Sequence, residues 1–215
     1  MAPKQKRGED TTKRLLDAAL DVFAKGGHEA FTVHAVVAAS GVSLGSLYHH
    51  FGNADGLAAA LYARCMGALL DDLVASLEGV RGARAGVAAL VQAYLRHTAA
   101  QPASARFVHA SAYASFLPAH AAMILASKQS RLAAILDWLR PHVKAGRITP
   151  LPEPLIEMLV IGPVAETARR WLAGAPEIDL DEAARELPER IWQGLRRPTR
   201  RRPAGVRQKT RRKRP

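Results

Sequence analysis

Apolar residues recur every three or four positions along most of the chain, and the two-residue alternation of a half-buried strand is nearly absent. From Thr11, the residues Leu15, Leu16, Ala19, Leu20 and Phe23 share one helical face. Thr11 or Thr12 can cap the start, Lys25 suits the negative end of the helix dipole, and Gly26-Gly27 supplies a left-handed stop. Thr32 opens a second helix with Val33, Val36 and Val37 on its inner side, and Gly41 ends it. Ser43 opens a third, short helix through Leu47 to Phe51. Asn53 caps a fourth, in which Leu57, Leu61, Cys65, Leu69, Leu70, Leu73, Val74 and Leu77 keep the period as far as Gly79. That helix would be roughly 35–40 Å long. Further helices are expected over 87–100, 103–117, 119–139, 153–173 and 180–195, the first three stopping ahead of Pro102, Pro118 and Pro141. Residues 145–152 read as a loop, and no repeat of fixed period is present. The pattern is that of an all-α protein.

Composition narrows the classes. No apolar run approaches the ~20 residues of a membrane span; the longest, 158–164, is interrupted by Gly162 and Pro163. Lys4, Lys6 and Arg7 precede no apolar stretch, so no secretory signal is expected. Cys65 is the single cysteine, which excludes an internal disulfide and a multi-cysteine metal site and fits a reducing cytoplasm. The formal net charge is +12. Eleven Lys or Arg lie in 196–215, a stretch without an acid, so the rest of the chain is close to neutral. That tail is too poor in apolar residues to fold, and is either a solvated terminus or an arm that neutralises phosphates.

Residues 32–51 carry the chemistry. Two short helices joined by a tight turn make a helix-turn-helix. Gly41 supplies the turn's positive φ, Val42 plugs the space between the helices, and Ala38 and Ala39 let them approach. Ser43 caps the second helix and directs its amide-rich end outward, where a phosphate can bind. Such a helix enters the major groove of double-stranded DNA. Thr32, Tyr48 and His50 have donors suited to phosphate oxygens, which position the protein. Leu44, Gly45, Ser46 and His49 fall where base edges would lie; Leu44 can meet a thymine methyl and Gly45 permits close approach. His49 and His50 point about 100° apart on a helix, with no third ligand near, so no metal is expected.

With these residues in place, the chain resembles the tetracycline-repressor (TetR) family. The similarity runs through Phe23-Ala24-Lys25-Gly26-Gly27, Thr32-Val33, Ser40-Gly41-Val42-Ser43, Gly45-Ser46-Leu47-Tyr48-His49-His50-Phe51 and Leu57. A weaker likeness to the family's dimerising helix covers 155–174, with Gly162-Pro163 and Trp171-Leu172. The resemblance implies an all-helical homodimer with a three-helix reading head and a divergent effector domain. Two departures stand out: the family often has a basic residue where Leu44 stands and a lysine where Ala54 stands, each a phosphate contact fewer here. Val37 also replaces the usual alanine.

The expected organisation is a disordered basic N-terminus (1–10), a helix-turn-helix domain (11–52), a larger helical effector-binding and dimerisation domain (53–195) and a disordered basic tail (196–215). Phe107, His109, Tyr113, Phe116, Met123 and Trp138 are the candidates for lining an effector pocket between the middle helices, although most of the aromatic and soft residues among them are expected to be core. Asp71 and Asp72 read as a solvated face. No phosphate loop, nucleophile elbow or zinc-protease run is present, so no cofactor and no catalysis are expected. The function expected is a cytoplasmic, ligand-responsive transcription repressor. The alternative is an architectural DNA-binding protein that relies on the basic tail.

Overall fold

The computed structural model describes residues 3–111 and 114–197. Tyr113 and tail residues 198–215 lie outside them. The described residues form ten helices: α1 (Pro3–Ala30), α2 (Val33–Ser40), α3 (Leu44–Phe51), α4 (Ala54–Ser76), α5 (Ala83–Ala100), α6 (Pro102–Ala110), α7 (Phe116–Ala119), α8 (Ala121–Lys144), α9 (Glu153–Leu172) and α10 (Leu180–Leu195). Among these residues there is no strand, only an isolated bridge between Ile148 and Arg196.

Local signals set most helix ends. Thr32, Ser43, Asn53 and Asp179 each accept a hydrogen bond from the backbone N–H three residues on, satisfying an otherwise orphaned donor. Gly41 sits at φ 63°, ψ 20°, and its N–H is donated to the Val37 carbonyl. Four ends differ from expectation. Helix α1 begins at Pro3, so the segment expected to be disordered up to residue 10 is largely helical, and it kinks at Gly27 (φ 64°) before ending at Ala30. The expected helix over 103–117 is two pieces, α6 and the single turn α7, which contains Pro118. Helix α8 passes through Pro141 to Lys144. A proline so close to a helix end removes only one intrahelical bond, and its own carbonyl still accepts from the Ala145 N–H.

Two apolar clusters organise the packing. The first joins Leu15, Ala19 and Phe23 of α1, Val36, Val42 and Leu47 of the helix-turn-helix, and Leu57 and Leu61 of α4. It also takes in Phe107 and Val108 of α6, Phe116 and Ile124. The division expected at residues 52–53 is therefore crossed by side chains from both sides. The second cluster is built by the distal half of α4 with α5, α9 and α10, α8 closing one side. Arg64 ties α4 to α1 at the edge of the first cluster, donating to Asp17 at 2.6 Å and to the Leu16 carbonyl at 2.9 Å. Lys13 foremost, together with Arg64, holds the Asp17 carboxyl below its usual range against the opposing effect of burial.

Asp71 and Asp72 are not a free solvated face. Arg131 of α8 grips Asp71 through Nε and Nη2, at 2.6 and 2.8 Å. Asp72 lies 2.7 Å from Nδ1 of His97, an imidazole only 2% exposed. A buried ring nitrogen needs such a partner, and only folding brings α5 beside α4 to supply one.

Candidate nucleic-acid interface

The turn between α2 and α3 is fixed from inside. Val36 and Leu47 are fully buried, one from each helix, and Val42 is buried between them. Arg14 of α1 adds a clamp that the sequence reading missed, donating from Nη2 to the Ser40 carbonyl at 2.8 Å. An exposed arginine on a helix carries no local sign of such a partner, because Ser40 reaches it only through the fold.

With Leu47 anchored, the rest of α3 is turned outward. Ser43, Gly45, Tyr48 and His49 are exposed, as is Thr32 at the start of α2, while Leu44 and Ser46 are half-buried. Tyr48 stands out, with 43% of its surface open. The Ser43 hydroxyl is taken up by the Ser46 N–H at 3.2 Å, and Leu47 N–H is donated to the Ser43 carbonyl. The first-turn amides of Leu44 and Gly45 therefore remain available to an outside acceptor.

His50 differs from its neighbours. Its ring is turned toward α1, with Nδ1 3.4 Å from the Thr12 hydroxyl. It helps line an open cleft of about 500 Å³ with Gly8, Glu9, Thr12, Lys13, Leu16 and Arg64. Lengthening α1 back to Pro3 creates that wall, which is why residue type alone placed His50 on the open face.

The five effector candidates among the described residues do not converge. Phe107 is 1% exposed and meets Phe23 edge-on, and Phe116 packs near Tyr62, so both are committed to the first cluster. Met123 is 40% exposed. His109 lies 3.3 Å from the Tyr94 hydroxyl beside a gap of about 10 Å³, room for little more than one water. Burial pushes the Tyr94 phenol up to about 12, and pulls the His109 imidazole below its usual value, with help from Arg169. Tyr113 lies outside the described residues.

Of the five described candidates, Trp138 alone lines a larger, partly open cavity of about 250 Å³ among α4, α5, α8 and α9. Its walls include Leu70, Leu73, Leu90, Leu132, Ile135 and Val160. Leu132, Ile135, Leu136 and Leu139 of α8 share one helical face, and a void behind such a stripe is visible only in three dimensions. Among the described residues no group of His, Cys, Asp and Glu could hold a metal ion, and no helix is long and apolar enough to cross a membrane.

Residues 15–61, the span from the first buried leucine of α1 through the helix-turn-helix into α4, match the profile of bacterial regulatory proteins of the tetR family. The HTH-type transcriptional regulator BetI of Rhizobium meliloti (strain 1021) is 34% identical over 84 residues, which cover 39% of this chain and 41% of that protein. The match thus spans well under half of the relative. A TetR family transcription regulator from Marinobacter aquaeolei VT8 superposes with a TM-score of 0.73 at 22% identity, over 89% of this chain and 98% of that one. The regulator FadR from Bacillus subtilis, solved in complex with stearoyl-CoA, gives 0.68 at 20% identity over 85% and 98%. At such identities the superpositions establish a shared fold. Fold, turn geometry and the matched segment agree: residues 15–61 are similar to the helix-turn-helix segment of tetR-family bacterial regulatory proteins, and the described residues share the fold of solved regulators of that family.

Proposed function

We propose that the protein is a sequence-specific transcription regulator, a cytoplasmic homodimer that represses by occupying an operator and leaves it when a small molecule binds the helical body. The observation that carries this reading is the posture of α3, anchored by the buried Leu47 while Ser43, Gly45, Tyr48 and His49 stand open. Thr32, Tyr48 and the α3 amides take phosphates, and His50 does so from the flank of α1. Leu44, Gly45, Ser46 and His49 read base edges.

A two-fold operator requires two heads about 34–36 Å apart, one helical turn of DNA. Helix α9 offers the surface for pairing. Leu155, Met158 and Leu159 are 47%, 66% and 42% exposed, and with Gly162 they form a stripe at i, i+3, i+4 and i+7 on the side away from the core. A second copy of the same stripe covers it with matching chemistry, as a two-fold interface requires. The ligand-responsive part is supported by the apolar cavity of the body and by the stearoyl-CoA complex of the similarly folded FadR. A ligand there releases DNA only through its preference between the two states; about a hundredfold preference shifts the balance by ~2.7 kcal/mol.

Footprinting of the full chain on its own genomic DNA tests the reading. A discrete, two-fold symmetric protected site is expected, weakened for all sequences alike by Tyr48→Ala and changed in preference by substitutions at Ser46 or His49. Binding no tighter to any duplex than to random competitor at physiological salt would overturn it.

A further inference from the structure

Protein interiors are close-packed, with few voids larger than a water molecule. A partly open apolar cavity of 250 Å³ among α4, α5, α8 and α9, reaching in past the exposed Glu153 and Glu157, is therefore a feature to be explained. A 150 Å³ apolar cavity is enough for benzene, so this one suits a molecule somewhat larger than a single aromatic ring. Its walls are leucine, isoleucine and valine, with one aromatic, Trp138.

Trp138 is held in place from two sides. Its indole N–H is donated to the Val80 carbonyl at 2.9 Å. Its six-membered ring lies against Gly86, where a Cβ would fall inside the ring. The wall it forms is rigid, and a tryptophan face attracts cations.

The charged residues that line the cavity are Glu153 and Glu157, successive turns apart at the start of α9. Arg140 of α8 grips Glu153 at 2.9 Å and also reaches Asp137 at 3.0 Å. Among the described residues, Glu157 has no salt bridge and no side-chain hydrogen bond. Two carboxylates thus share the Arg140 guanidinium, and Glu157 is left without a cation among those residues. The α9 dipole accounts for an acid in the first turn, but its influence fades beyond that turn, where Glu157 stands.

From this we infer that the cavity binds a small lipophilic organic cation, its hydrocarbon body among Leu73, Ile135 and Val160 and its ammonium on Glu157. The ligand would be the effector of the regulator proposed above, and only its effect on DNA rests on that reading. A carboxylate of the same shape would meet the acidic rim and be rejected.

Three isosteric probes separate charge from shape: phenylbutylamine, phenylbutanol and phenylbutyrate, titrated into the full chain by calorimetry. The amine is expected to bind about five- to tenfold more tightly than the alcohol, with the carboxylate weakest. Glu157→Gln, at an exposed position that does not threaten folding, is expected to erase the amine's advantage and leave the alcohol unchanged. Ile135→Trp, checked for folding by circular dichroism, is expected to weaken all three by filling the void. The inference is overturned by a carboxylate that binds as well as the amine, by an amine affinity indifferent to Glu157→Gln, or by no binding of any probe. Operator retention on gels separates the two claims. Operator binding that persists in wild type while the amine shows no binding sinks the cation site alone. Amine binding with the Glu157 signature, in a protein that selects no DNA, sinks the regulator alone.

Discussion

The ring of Phe107 on α6 meets the ring of Phe23 on α1 edge-on, with centroids 4.9 Å apart and planes at 89°. A residue from the body thereby plugs the core of the reading head, and Phe31 closes on the same ring at 5.8 Å. Movement of α6 must consequently be felt in α1, which carries α2 through the Arg14 clamp.

Phe107→Ala is expected to cost about 3–5 kcal/mol, since it opens a cavity where the ring was and forfeits the aromatic pair. Urea unfolding measures that loss. Operator affinity should fall as well, beyond what the unfolded fraction explains, because the head loses its fixed seat. Unfolding at the wild-type midpoint would mean that Phe107 supports nothing in the head.

Gly86 and Trp138 form a second close pair, and a double-mutant cycle reports on it. Gly86→Ala alone forces the indole away and is expected to destabilise by about 1–3 kcal/mol. Trp138→Leu removes the ring the new methyl would strike, so Gly86→Ala should cost much less in that background. Strict additivity would show that the two residues do not touch in solution.

What the sequence made legible, and what it hid, follows from the range of the interactions. Thr32, Gly41, Ser43 and Asn53 act on backbone groups no more than four residues away, so their roles could be read directly. Leu47 and Val36 followed from period and turn. Phe107 and Phe116 could be read either as core or as pocket lining, and they fill the core of the head; their partners on α1 and α4 are too distant in sequence for periodicity to decide between the two. His50 turns toward Thr12 of α1 in a cleft that Gly8 and Glu9 help to wall, a tertiary contact the apolar period does not mark. The cavity's wall on α8 and the unpaired Glu157 look like ordinary core and ordinary surface until α4, α5, α8 and α9 are brought together.

The open stripe on α9 predicts the assembly. Met158→Glu with Leu159→Glu places four like charges across a two-fold contact, and exposure of both sites means the single chain should still fold. Sedimentation is expected to show a monomer, and the footprint should shrink to a half-site with much weaker binding. A dimer that survives both charges would move the interface elsewhere.

Acid is expected to destabilise the protein well before its carboxylates titrate. Burial, then Arg169, lowers His109 from the ordinary imidazole value of 6.5, Glu166 opposing in part. Burial, then Arg147, lowers His142, whose Nδ1 accepts from the Arg147 Nε at 3.1 Å and so must be unprotonated. Both folded values therefore lie below those of the unfolded chain. Above 6.5 neither state holds the protons; below it the unfolded chain binds them first, so stability declines as pH falls from 6.5 toward the lowered folded values. Asp71, held down by Arg131, and Asp17, held down by Lys13 and Arg64, add their losses only when pH approaches the ordinary carboxylate value of 3.8 and below. Urea midpoints measured between about pH 7 and 5 should thus slope downward toward acid, and His109→Gln with His142→Gln should flatten that slope. A slope equal in wild type and double variant would assign the acid sensitivity to other groups.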